Sequence, residues 1–98
     1  MKSVTPQEFA ALDGAALIDV REPDELRTVR TEVAQPLPMS TLQEHLDELP
    51  EGTIYVLCHS GGRSARVTQF LEQQGYDAVN VDGGITAWEA AGLPVLKG

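Results

Sequence analysis

Three short apolar runs, at residues 16–20, 54–57 and 78–81, each pass through a polar turn into a helical pattern. That alternation constrains the fold more than any other feature of the chain. Strands separated by helices are joined by crossovers rather than hairpins, so neighbouring strands run parallel and the helices cover the sheet. The apolar runs read as buried strands, and the whole pattern predicts an α/β fold with a largely parallel sheet. A chain of 98 residues is long enough for a single core and reads as one domain, residues 1–98.

Local signals punctuate the rest. Thr5 reads as an N-cap, with Pro6 at the first helical position and Glu8 completing a capping box. Val4 and Phe9 stand at the two positions of a hydrophobic staple. This helix is expected to end near Asp13 and Gly14, with residues 1–4 forming a short first strand. Pro23 and its flanking acids suit the first turn of a second helix. Arg21, Glu22 and Glu25 are compatible with a solvated face carrying a weak ion pair or two, whereas Asp19 stands too far inside its strand to be incidental. Residues 26–35 show no clean period, with a strand near Val33, and residues 36–39 read as a rigid connector.

Ser40 and Gln43 form a second capping-box pattern. Leu42, Leu46 and Leu49 then predict an amphipathic helix with His45 solvated beside its acids. Gly75 ends the helix that carries Val67, Phe70 and Leu71, and Tyr76 is placed for a Schellman motif. Asp82, Gly83 and Gly84 turn the last apolar run into a helix carrying Ile85 and Trp88, which Gly92 and Pro94 close. Trp88 reads as a core anchor.

Chemistry concentrates after the middle run. Cys58 is the only cysteine. It stands at the carboxyl end of a strand, the edge of a parallel sheet at which ligands bind. The turn reads as Cys58 to Arg63, with Gly61 and Gly62 able to take positive φ and admit a ligand close to the backbone. The next helix is expected to begin near Arg63 or Ser64, its free N–H groups and positive end facing the loop. A thiolate there gains from that end and from Arg63 and Arg66. The chain carries 15 Asp and Glu against 7 Lys and Arg, yet no acid falls between Glu51 and Glu72. An acidic protein that clears its carboxylates from one loop has made a local site for an anion. A plain buried cysteine before a glycine turn accounts for the thiol alone. It does not account for the glycines, the arginine and the helix start together.

The net charge of −8 argues against nucleic acid and anionic membrane as partners. No segment approaches the ~18 apolar residues of a membrane span, and residues 1–6 lack the apolar stretch of a signal peptide. One cysteine forms no internal disulfide, so a reducing, cytoplasmic setting is expected.

Three stretches, in order, resemble one family. Residues 17–25, Leu-Ile-Asp-Val-Arg-Glu-Pro-Asp-Glu, are similar to the early "DVREPxE" motif of single-domain rhodaneses, the thiosulfate sulfurtransferases. Residues 58–64, Cys-His-Ser-Gly-Gly-Arg-Ser, are similar to their "CxxGxRS" loop, and residues 81–88, Val-Asp-Gly-Gly-Ile-Thr-Ala-Trp, to their late "GGxxAW" motif. The resemblance covers nearly the whole chain. It departs after the first motif, where the family usually reads "GHIxGAxNIP": Val29 and Val33 replace glycines and Arg30 replaces the histidine, while Glu25, Ala34 and Pro38 keep the pattern. The rim formed by residues 26–37, and with it acceptor choice, is therefore left open.

The resemblance implies a three-layer α/β/α rhodanese-like domain with a mainly parallel five-stranded sheet. It implies that Cys58 is the nucleophile and carries a persulfide. Backbone N–H groups of His59, Ser60, Gly61, Gly62 and Ser64 would form the substrate cradle, and Arg63 would orient the loop or the leaving sulfite. Sulfur would pass from a small anion such as thiosulfate to a thiophilic acceptor, or to a protein in a relay. This chemistry requires no metal or organic cofactor. Two alternatives stand beside it. A sulfur-relay or binding module would act through a protein partner, although modules that only bind usually lack the cysteine. A Cys-dependent phosphatase or arsenate reductase has a similar loop but places five residues between Cys and Arg, where this chain has four, His59 through Gly62.

Overall fold

A computed structural model describes residues 1–98. Along the chain stand β1 (Lys2–Val4), α1 (Pro6–Ala10), β2 (Ala16–Asp19), α2 (Pro23–Thr28), β3 (Val29–Arg30) and β4 (Ala34–Pro36). A 3-10 segment (Met39–Glu48) follows, then β5 (Ile54–Leu57), α3 (Gly62–Gln73), β6 (Ala78–Val81), α4 (Gly84–Ala90) and β7 (Leu96–Lys97). Five strands form one sheet in the order β1-β6-β5-β2-β4, every neighbouring pair parallel. The expected α/β architecture is present, with β5 at its centre.

Alternation along the strands divides the core into two layers. Ile18, Val20, Ile54, Val56, Cys58 and Ala78 turn to one face and pack with Val67 and Leu71 of α3 and Leu42 of the 3-10 segment. Leu17, Leu57 and Val81 turn to the other face and pack with Phe9 of α1 and Ile85 and Trp88 of α4. Trp88 is the expected anchor: it lies 5.8 Å from the Phe9 ring, and its Nε1–H donates to Pro94 O at 3.1 Å.

Where partners are close in sequence, the expectations hold. Glu8 N–H donates to Thr5 Oγ1 and Thr5 N–H to Glu8 Oε1, completing the capping box of α1. Tyr76 N–H donates to Leu71 O at 2.9 Å and Gly75 N–H to Glu72 O at 3.0 Å, with Gly75 at φ +92°, which is the Schellman closure of α3.

Elsewhere the structure corrects the reading. Helix α1 stops at Ala10 rather than near Gly14, because residues 10–14 are all exposed and offer the helix no further apolar face. Ser40 caps nothing. Its Oγ–H donates to Glu22 at 2.7 Å and its N–H to the same carboxylate at 3.3 Å, so the segment begins at Met39 and winds as 3-10 turns with a non-helical residue at His45. His45 is indeed solvated, its side chain 44% exposed, and pairs with Glu48. The strand expected near Val33 is β4, and Val33 itself is exposed. Strand β7 was not legible: it pairs antiparallel with β3 through only two residues.

Candidate active site

Cys58 is the first residue beyond β5, at the carboxyl edge of the sheet. Sharing a face with Ile54 and Val56, its side chain turns toward α3 and is 1% exposed. The chain then reverses tightly. Gly61 takes φ +105°, and its N–H donates to Cys58 Sγ at 3.0 Å. Helix α3 starts at once: Ala65 N–H donates to Gly61 O at 3.1 Å, leaving the N–H groups of Gly62, Arg63 and Ser64 without an intrahelical acceptor. No acid stands in this first turn. Ser64 returns to the cysteine from within the helix, with Oγ 3.3 Å from Sγ and 3.1 Å from Gly61 O.

The turn is thus shorter than expected, residues 58–61, and Gly62 is an ordinary helical residue whose φ is not positive. The two glycines differ accordingly. A Cβ on Gly61 would stand 3.1 Å from Gly83 N at a left-handed φ, whereas one on Gly62 meets nothing within 4 Å. Gly61→Val is expected to lose about 1–3 kcal/mol of stability, and Gly62→Ala to stay within about 1 kcal/mol of the parent or gain slightly. Urea unfolding of the two variants decides; equal losses would defeat the assignment.

The opposite wall of the loop comes from α4. Ile85 N–H donates to Cys58 O at 2.8 Å and Thr86 N–H to His59 O at 3.1 Å. The approach is so close that a Cβ on Gly84 would overlap Cys58 O and the His59 carbonyl, which is why a glycine stands there. The late glycine pair therefore belongs to the cysteine loop as much as to its own turn.

Arg63 leaves the loop. Its two terminal nitrogens both reach Glu25 on α2, at 2.6 Å each. That bidentate grip holds the Glu25 carboxyl down at about 2 and raises the Arg63 pKa. Glu25 also accepts from Glu22 N–H at 3.0 Å, and Glu22 in turn holds Ser40. The loop is thus tied through α2 to the 3-10 segment. A depressed carboxyl pKa contributes stability above the unfolded value near 4.5, and that stability is lost as pH falls toward 2. Glu25→Gln should lower stability at pH 7 by about 1–2 kcal/mol, allowing for the pair's partial exposure. The gap to the parent should close between pH 4.5 and 2 in urea titrations; a gap constant over that range refutes the pairing.

Arg21 is not on a solvated face. It is 1% exposed, and its Nη2 donates to Asp19 Oδ2 at 2.8 Å and to Val29 O at 2.9 Å. Asp19 lies beside Leu57 in the β2–β5 register, so this buried pair flanks the strand that ends at Cys58.

Of the residues singled out from sequence, Cys58, Gly61 and Ser64 are brought together. His59 and Ser60 are exposed on the loop and Gly62 at the start of α3. Arg66 is exposed and lines a groove of about 500 Å³ with Met39, Leu42, Val67 and Phe70. Sequence reasoning missed Asn80. Its signal was a lone amide inside an apolar strand, and here it stands behind Ser64, which donates to Asn80 Oδ1 at 2.5 Å.

The family model of the rhodanese-like domain matches residues 5–91. A sulfurtransferase of Allochromatium vinosum is 36% identical over 92 residues, 92% of this chain and 86% of that protein. A crystal structure of a rhodanese-related protein from Thermoplasma volcanium superposes with a TM-score of 0.90 at 33% identity, covering 98% of both chains. A rhodanese-like domain protein from Staphylococcus aureus gives 0.84 at 35% identity over 90% of this chain and 91% of that one.

Proposed function

This chain belongs to the rhodanese-like domain family, and from that premise we propose that it is a sulfurtransferase working through a persulfide on Cys58. The observation that carries the reading is the seat of the sulfur: Cys58 Sγ accepts the Gly61 N–H at 3.0 Å where α3 begins. In the first step the Cys58 thiolate attacks the outer sulfur of a donor such as thiosulfate. A sulfur–sulfur bond forms to Cys58, the sulfur–sulfur bond of the donor breaks, and sulfite leaves with the electron pair. In the second step a thiophilic acceptor takes the terminal sulfur, and the bonding pair returns to Cys58 as thiolate. Dividing the transfer in this way replaces one hard displacement with two easier ones.

The Gly61 N–H is already oriented on the sulfur before charge develops, and the free N–H groups of Gly62 to Ser64 are the further donors of the cradle. The α4 amides hold the Cys58 and His59 carbonyls and so fix the loop that carries the sulfur. Arg63 contributes by holding the loop to α2 through Glu25. The naming of the Allochromatium vinosum relative as a sulfurtransferase supports the same chemistry.

Intact mass after incubation with thiosulfate tests the proposal. The protein is expected to gain one sulfur atom and to lose it on adding cyanide. No gain, or a gain retained in Cys58→Ser, overturns it.

A further inference from the structure

Behind the cysteine lies a run of hydrogen bonds with a fixed direction. Asn80 is 4% exposed and Ser64 fully buried, and the two face each other across the α3–β6 contact. On its other side the Asn80 amide meets Asp82 Oδ1 at 3.2 Å. A carboxylate only accepts, so the amide nitrogen must face Asp82 and the amide oxygen must face Ser64. Ser64 has two acceptors for its single hydroxyl proton, Gly61 O at 3.1 Å and the nearer Asn80 Oδ1 at 2.5 Å, and it turns a lone pair to Cys58. That arrangement suits a thiol, whose S–H donates to Ser64 Oγ. It suits a thiolate less well, because the Ser64 contact then offers the anion a lone pair in place of a proton, leaving the Gly61 N–H as its donor.

We propose that Asn80, oriented by Asp82, is a positioning residue that competes with Cys58 for the Ser64 hydroxyl proton and so restrains the thiolate of the resting protein. The reactive anion already has the Gly61 N–H, and it gains a second donor when the Ser64 O–H rotates from Asn80 to sulfur. The proposal rests on Cys58 being the nucleophile. Alkylation by iodoacetamide reads it without any sulfur donor, so its failure is distinct from failure of sulfur loading.

The experiment measures the alkylation rate of Cys58 at pH 7 in a set of variants. Asn80→Val, a strand-favouring side chain with no acceptor, should raise the rate about fivefold, the worth of one hydrogen bond. In a Ser64→Ala background the same change should do nothing, because the effect passes through that hydroxyl. Asp82 is exposed, so its variants separate the proposal from misfolding. Asp82→Ala frees the amide to flip and should also speed alkylation. Asp82→Asn removes the charge but can still accept from the Asn80 N–H, and should restore the parent rate. An unchanged rate in both Asn80→Val and Asp82→Ala overturns the proposal. So does an equal effect with and without the Ser64 hydroxyl, or Asp82→Asn behaving like Asp82→Ala.

Discussion

Cys58→Ser is expected to lower kcat/KM for cyanide-dependent thiocyanate formation by at least about a thousandfold, a loss of roughly 4 kcal/mol of transition-state stabilisation. No other residue can form the sulfur–sulfur bond, since the chain holds no second thiol. Serine is the informative replacement because it preserves the surroundings. Its oxygen can accept from Gly61 N–H and meet Ser64 much as Sγ does, whereas alanine leaves that half-buried amide without its partner, at about 1 kcal/mol. The serine variant should therefore unfold within about 1 kcal/mol of the parent. Thiocyanate formation persisting in a folded Cys58→Ser protein would remove Cys58 from the mechanism.

The largest effect on stability is expected at Asp19. Its carboxylate holds Arg21 by Nε and Nη2, with both side chains almost wholly excluded from solvent. Asp19→Ala leaves a buried guanidinium whose remaining partner is the Val29 carbonyl. Breaking such a pair from one side costs about 3–5 kcal/mol, a large part of the ~5–15 kcal/mol available to a domain. Pairing it with Arg21→Met should recover much of the loss, since a buried ion pair replaced whole by apolar groups is often neutral. Urea midpoints of the single and double variants measure this. Additive losses would show that the pair is not the reason for the destabilisation. The damage should also spread, because Arg21 fixes Val29 at the end of α2, and α2 carries the Glu25 that anchors Arg63.

Legibility followed the reach of the hydrogen bonds. Thr5 with Glu8, and Gly75 with Tyr76, could be placed from sequence because each partner lies within a turn and the required residue type is specific. The strands of the sheet's centre and the position of Cys58 were legible for a similar reason: unbroken apolar runs have one stable place, between two helical layers. Ser40 misled because its pattern is locally that of a cap, while its hydroxyl answers to Glu22, eighteen positions earlier. Arg21 misled because charged residues beside a proline read as surface until Asp19 is seen to be buried with it. Gly62 misled because two adjacent glycines look alike until one of them is known to open a helix. Residues 26–35 had no period to read, since β3 and β4 hold two and three residues and rely on distant partners in β7 and β2.

The strand order has a consequence for synthesis. As the chain emerges from a ribosome, β2 can meet β4 early and β5 soon after, but Lys2 pairs with Val79. Of this sheet's strands, the one made first is thus among the last to be seated. At ~5–20 residues per second that wait is roughly 4–15 s. Through it, β1 remains an unpaired segment, Lys2 and Ser3 before Val4, with little apolar surface to attract a wrong partner.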